Sequence, residues 1–340
     1  MGNAMDFIVT WFYKESKDEA SYYPQIGGKG SSALVHSIYM QILVPFYETF
    51  RHCNPKAELM FFTNLREDEL PDFLLSTFGR LGVETVTLHY TCRPPKGWHT
   101  AWQNQFYLYD MLYWMGQRMY NADTLLVCDA DCLCRHPLDK LFEYARNNRS
   151  ALYELFTNPD RDINGITLKQ MGGFYEACYG EPPKSPLAYY GGEFVCLRGD
   201  VVKNVNRAFP ELWAMNMEQA ASGHPKLNEE AHVLSVLAER LGIRNDFANR
   251  FVKRMWTSPR YNNVVAGDEN LPVWHLPYEK KRGLHRLCKY MTQWLYCMDN
   301  EEEFWNMVRY ETGIPTVSFS KRFSDRISTI KQKLKIEPLR

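Results

Sequence analysis

Leu125-Leu126-Val127-Cys128 is an apolar run that stops at two carboxylates, Asp129 and Asp131, with only Ala130 between them. A run without polar alternation reads as a strand covered on both faces, which is the habit of parallel sheets flanked by helices. The preceding segment, Ala101 to Tyr120, is compatible with the helix that a parallel crossover requires. In open α/β sheets ligands bind just beyond the carboxyl ends of the strands, where Asp129 and Asp131 would stand. Two hard oxygen donors at such an edge suit Mg²⁺ or Mn²⁺, ions that keep waters and share their coordination with phosphates. Two solvated turn residues would give the same triplet, and the strand context favours the metal.

The rest of the first half repeats this grammar. Phe7 to Tyr13, Leu59 to Thr63 and Val83 to Leu88 read as strands, and Ala33 to His52, Glu67 to Arg80 and Ala101 to Gly116 as helices. Three β-α units before the acidic pair imply a Rossmann-like half-domain. Gly27-Gly28-Lys29-Gly30-Ser31-Ser32 has neither the spacing nor the Lys-Ser/Thr ending of a phosphate-binding P-loop. It reads as a loop in which Ser31 or Ser32 caps the following helix, with some contact to a ligand phosphate as the other reading. Ala151 to Leu155 and Tyr189 to Leu197 follow as strands, then helices at about Val201 to Ser222 and Glu229 to Leu241.

Charge and cysteine usage narrow the class. Forty basic residues balance forty acidic ones, which argues against a general nucleic-acid binder. No apolar stretch nears the roughly 20 residues of a membrane span, and Met1 to Asp6 carries no basic leader, so a cytoplasmic protein is expected. Nine cysteines scattered through apolar segments suggest reduced, buried thiols, including Cys128, Cys132 and Cys134 around the acidic pair.

Two further segments carry candidate chemistry. Tyr189-Tyr190-Gly191-Gly192-Glu193 places consecutive glycines inside a strand-like run, a sign of close backbone approach, with Glu193 either orienting a hydroxyl or simply exposed. Asn228-Glu229-Glu230-Ala231-His232 starts a helix, where acidic residues suit the helix dipole and can equally face a pocket.

The strand ending in Asp-Ala-Asp resembles the DxD motif of GT-A glycosyltransferases. The order Trp102-Gln103, Asp129-Ala130-Asp131, Tyr189-Tyr190-Gly191-Gly192 and Asn228 to His232 is similar to the retaining family of histo-blood-group A/B transferases and α-1,3-galactosyltransferase. That family reads His-Asp-Glu-Ser-His where this chain has Asn-Glu-Glu-Ala-His. The resemblance spans roughly Trp102 to Trp256. It implies a GT-A (Rossmann-like) nucleotide-diphospho-sugar transferase fold with a mixed central sheet, a UDP-sugar donor, Mn²⁺ or Mg²⁺, and retention at the anomeric carbon. By motif position Glu230 is the expected catalytic carboxylate, ahead of Glu193. Donor contacts are expected from Thr10, Tyr13, Asp129, Ala130, Asp131, Gly191, Gly192 and Glu229. A looser similarity joins Trp274-His275-Leu276-Pro277-Tyr278-Glu279-Lys280-Lys281 to the late loop of glycogenin-like transferases. It implies His275 as a third metal ligand beside Asp129 and Asp131, and Lys280 on the diphosphate. The expected acceptor is a glycan or lipid-linked saccharide. The alternatives are a sugar-phosphate nucleotidyltransferase or a non-catalytic carbohydrate-binding protein on the same fold.

From Ser318 to Arg340 seven basic residues face two acidic ones, and Phe319, Phe323, Ile327, Ile330 and Leu334 recur at helical spacing. A catalytic domain over 1–317 is therefore expected to carry a basic amphipathic helix over 318–340. Residues 319–336 suit either the inner face of an anionic membrane or docking onto their own domain.

Overall fold

The computed structural model describes residues 4–19, 21–99, 101–293 and 300–333. Its framework is a six-stranded sheet built from β1 (Asp6–Phe12), β2 (Glu58–Thr63), β3 (Val83–Thr87), β4 (Thr124–Cys128), β6 (Ser150–Phe156) and β7 (Tyr189–Arg198). A short strand, β5 (Cys132–Cys134), belongs to a second sheet. The large sheet runs β3-β2-β1-β4-β7-β6. Its first four strands are parallel, whereas β7 lies antiparallel to both β4 and β6. The mixed α/β architecture with a mixed central sheet is thus the one expected.

The apolar run of β4 explains itself in this setting. Leu126 and Cys128 point into a core with Ile8, Phe61 and the buried face of α1 (Ala33–Cys53). Leu125 and Val127 point into the opposite core with Val9, Phe62 and helices α3 (Tyr107–Arg118), α6 (Gly199–Ala221) and α7 (Glu230–Arg240). Alternation is absent because both faces are covered. α2 (Asp72–Leu81) adds to the first side, and α5 (Leu168–Tyr179) to the second.

Two helices differ from expectation for local reasons. The segment expected as a helix from Glu67 opens as a separate 3₁₀ turn, Glu67–Glu69, and α2 begins only after Pro71. Proline cannot donate to the preceding turn, so the two pieces stay apart. The helix expected from Ala101 starts at Tyr107: Trp102 has φ 49°, outside the helical region, and the Asn104 amide donates to the Tyr23 hydroxyl. Residues 22–29 form a small hairpin, and Ser32 caps α1 through Val35 N, 3.3 Å away.

The second sheet decides where the late residues go. β8 (Val252–Arg254) lies parallel to β9 (Val273–His275), and β9 lies antiparallel to β5. The register sets Arg254 opposite His275 and His275 opposite Cys132, next to Asp131. Beyond α4 (Asp139–Asn148), which packs on β6 and β7, the chain ends in α8 (Gly283–Gln293), α9 (Glu301–Thr312) and α10 (Phe319–Lys333).

α10 docks through a buried lysine. Lys321 Nζ lies 2.9 Å from Glu279 Oε2 and 2.9 Å from Asp325 Oδ2, with both Lys321 and Glu279 out of solvent. Glu279 also accepts from Gly283 N at 3.0 Å and from the Thr257 hydroxyl. Phe319, Phe323 and Ile327 remain on the exposed face. Ile330 and Leu334 lie outside the residues whose side chains are described. Breaking a buried pair on one side costs about 3–5 kcal/mol, because the remaining charge stays buried alone. Lys321→Met is therefore expected to lower the urea midpoint by a corresponding amount, and Glu279→Gln/Lys321→Met to recover much of the loss. Equal stability of the single variant and the wild type would contradict this docking.

Candidate active site

A cleft of about 660 Å³ opens at the carboxyl ends of β1 and β4. It gathers residues from segments far apart in sequence: Tyr13, Asp129, Ala130, Asp131, Gly192, Glu193, Glu229, Glu230, His275 and Lys280 all line it. Of the expected site residues, Thr10 and Gly191 are not among its walls. Thr10 is fully buried within β1, and Gly191 packs so closely that a Cβ would stand 2.2 Å from Glu193 Oε2.

The floor is the turn after β4. Asp129 N donates to Glu193 O at 3.0 Å, continuing the β4–β7 ladder, and Cys132 N donates to Asp129 O at 3.1 Å to close the turn. Leu276 N donates to Asp131 O at 2.9 Å, which draws the end of β9 against it. Asp129, Asp131 and His275 consequently each offer a ligand atom, all within 4.8 Å of one another. His275 Nε2 lies 3.3 Å from Asp131 Oδ2 and 3.7 Å from Asp129 Oδ2. Asp131 Oδ1 is buried with no hydrogen-bond partner. Two carboxylates and an imidazole around one point, with an unsatisfied buried oxygen, fit a divalent cation such as Mn²⁺.

The electrostatics of the two aspartates diverge. Desolvation at the cleft floor, then repulsion from Asp131, pushes the Asp129 carboxyl up to about 6, although its side chain keeps 41% of its exposure. Burial acts on Asp131 as well, but Lys280 and His275 outweigh it and hold that carboxyl well below the usual range. Lys280 Nζ stands 3.1 Å from Asp131 Oδ2 and 5.5 Å from the centre of the Tyr39 ring.

Across the cleft the two glutamates at the start of α7 differ in their freedom. Glu229 is clamped: its Oε1 accepts from the Tyr189 hydroxyl and its Oε2 from the Asn164 amide. Asn164 sits at φ 49° and Gly165 at φ 88° in the two-residue turn of a hairpin, Asp162–Thr167, a conformation suited to Asn-Gly. His232 fastens the same corner. Its Nδ1 accepts from Asn228 N at 3.2 Å, which leaves Nε2–H to donate to Ile163 O at 3.0 Å. Burial depresses its pKa to about 3, so the ring is neutral and positional. Glu230, by contrast, has a buried Oε2 with no partner, while Oε1 would lie 2.4 Å from a Cβ at Gly192. The glycine is therefore required by the approach of this carboxylate. Burial, Glu229 and Asp129 together raise the Glu230 carboxyl well above its ordinary range.

Glu193 occupies a different position. Arg254 donates to its Oε1 from Nε at 2.7 Å and pairs with it through Nη2, and His275 Nδ1 lies 3.7 Å away. Arg254 carried no signal of its own in the sequence; the β8–β9 register alone brings it here. Tyr39 and Asn164 were likewise missed, although an Asn-Gly turn signal marks the second of these, and Trp102, part of the motif order, does line the cleft. Cys128, Cys132 and Cys134 are buried free thiols, and burial raises each.

No protein-family model and no curated protein matches this chain. Among solved structures, apo mouse xyloside xylosyltransferase 1 is similar over 80% of this chain and 97% of its own, with 10% identity and a TM-score of 0.45. The apo WbbM bifunctional glycosyltransferase is similar over 81% of this chain and 46% of its own, with 10% identity and a TM-score of 0.48. The motif resemblance to the histo-blood-group family rests on sequence alone.

A cation bound by Asp129 must displace its proton. Mn²⁺ affinity, followed by calorimetry from pH 5 to 7.5, is expected to fall about tenfold per unit below about 6 and to flatten above it. A profile flat throughout that interval would remove Asp129 from the ligand set.

Proposed function

We propose that this chain is a GT-A-type glycosyltransferase. In this reading it moves a hexose from a UDP-sugar to a hydroxyl of a glycan or lipid-linked saccharide, with retention at the anomeric carbon. One observation carries the reading: a three-ligand cation site and a buried carboxylate with a free oxygen, Glu230 Oε2, line the same cleft at the carboxyl edge of the sheet. Phosphate-bearing substrates need the first, and a carbon centre that gains positive charge needs the second.

The residues divide the work by position. A divalent cation held by Asp129, Asp131 and His275 would share its coordination with the donor diphosphate and neutralise charge on the leaving group. Lys280 adds a buried ammonium beside that site. Tyr13 presents its ring to the cleft while its hydroxyl is occupied by Glu19 and Arg93, so it serves as a wall for the base and not as an acid. Glu229, fixed by Tyr189 and Asn164, is placed to receive donor-sugar hydroxyls. Glu230 stabilises, or traps covalently, the positive charge developing at the anomeric carbon. Glu193 is spent on Arg254 and on the His275 ring, which makes it a positioning group. Trp102 and Trp256 offer flat apolar faces at the cleft for an acceptor ring.

We assign residues 1–317 to catalysis and 318–340 to an accessory helix. Among the described residues no helix is long and apolar enough to cross a membrane. The outward face of α10, with Phe319, Phe323, Arg322 and Arg326 exposed, is suited to an anionic surface that carries a lipid-linked acceptor.

Thermal shift with UDP and Mn²⁺ tests the reading. UDP is expected to stabilise the wild type more with metal than without, and Asp131→Ala to abolish the metal-dependent part while still unfolding cooperatively. Absence of any stabilisation by UDP, with or without metal, would sink it. In a screen of UDP-sugars for turnover, Glu230→Gln is expected to retain UDP binding and lose about 10²–10³ in rate. Unchanged turnover would remove Glu230 from the chemistry.

A further inference from the structure

Lys280 does more than stand ready for a phosphate. Its ammonium points at Asp131 Oδ2, the same oxygen that His275 Nε2 approaches to 3.3 Å, and Asp131 belongs to the proposed metal set. Lys280 is 5% exposed and Asp131 fully buried, so the pair is shielded from solvent and holds without help from outside. A tethered monovalent cation therefore already sits on a ligand that a divalent ion would need. A divalent cation on the remaining oxygen, Oδ1, would share one buried carboxylate with that ammonium, and like charges so close repel strongly.

We infer that Lys280 is a built-in competitor for the metal and that the donor diphosphate releases it. Without nucleotide, Lys280 neutralises Asp131 and weakens metal binding. With nucleotide, the ammonium transfers from Asp131 to a diphosphate oxygen, which leaves the Asp131 charge free for a divalent cation. Metal and nucleotide then bind with positive coupling, each tightening the other by the same factor. The transfer is feasible by side-chain rotation. Besides Asp131, Lys280 is held by the Tyr39 side chain, whereas neighbouring Lys281 is pinned by a 2.9 Å bond to Ile26 O. The metal thereby stays weakly held until a substrate that needs it arrives. This inference rests on the cation site proposed above and adds the order in which it fills.

The test reads binding and not turnover. Mn²⁺ affinity is measured by calorimetry or by electron paramagnetic resonance, on the full chain, with and without UDP. For the wild type, UDP is expected to tighten Mn²⁺ by roughly tenfold or more. Lys280→Met is expected to bind Mn²⁺ roughly tenfold more tightly than wild type in the absence of UDP, and to show a smaller enhancement by UDP, the remainder coming from the diphosphate's own coordination. Lys280→Arg, which keeps the cation, is expected to retain weak metal binding without nucleotide. Lys280→Gln replaces Lys280→Met if the latter folds poorly. Equal or weaker Mn²⁺ binding by the neutral variants without UDP overturns the inference while leaving the metal site intact. Failure of the wild type to bind Mn²⁺ even with UDP overturns the site itself, and the inference with it.

Discussion

The crowding of carboxylates in one partly dry cleft is the constraint from which the other features follow. Asp129, Asp131, Glu193, Glu229 and Glu230 all line it. Like charges this close cannot all ionise without compensation. The structure answers each case differently. Arg254 neutralises Glu193, Lys280 and His275 stabilise Asp131, and Tyr189 and Asn164 solvate Glu229 with hydrogen bonds. Burial still raises Glu229, and Asp129 and Glu230 are raised with no hydrogen-bonding clamp of this kind, so they are the two groups whose charge a bound ligand must settle. A site with this residual deficit of positive charge is matched to a cation and to an electron-poor carbon.

The sheet creates that crowding through a change of direction. Four parallel strands deliver β1 and β4 with their carboxyl ends at one edge, and β7 then runs the other way beside β4. Reversal puts the early part of β7, Gly191 to Glu193, level with the turn that follows β4. The register slips between Tyr190 and Val195 against β6, so this stretch departs from regular pairing on that side. Glycine at 192 then lets Glu230 approach where any side chain would block it. The small sheet completes the arrangement from the far end of the chain, since one register places both His275 and Arg254.

What could be read from sequence follows from how local each signal is. β4 was legible to the residue because its apolar run is bounded by Thr124 on one side and the acidic pair on the other. The Gly191-Gly192 pair was legible as a place of close approach, though not which group approached. Arg254 was not, since its role depends on the pairing of β8 with β9, whose partners stand twenty-one residues later. His232 could be read only as part of a motif, whereas its bonds to Asn228 and Ile163 make it the fastener of the glutamate corner. The helix start near Ala101 was misjudged because aromatic periodicity continues through Trp102 and Phe106, while the backbone there is committed to the cleft wall. α8 and α9 do carry apolar stripes, Leu284, Leu287, Cys288 and Met291 in the first and Phe304, Trp305 and Val308 in the second, but basic and aromatic residues interleaved with them obscure the pattern in the sequence.

The loop that carries Lys280 also shows which kind of motion the site permits. Glu279, immediately before it, is buried and bound by Lys321, Thr257 and Gly283 N. Arg282 N closes the turn onto Glu279 O at 2.9 Å, and Lys281 reaches the hairpin at Ile26. With backbone anchored before and after residue 280, displacement of the whole loop would break a buried ion pair, whose one-sided loss costs several kcal/mol. Rotation of the lysine side chain breaks its pair with Asp131 and its contact with Tyr39 and leaves the backbone bonds intact. Any response of this loop to a ligand is therefore confined to the Lys280 side chain, and α10, through Lys321, supplies part of the rigidity against which it moves.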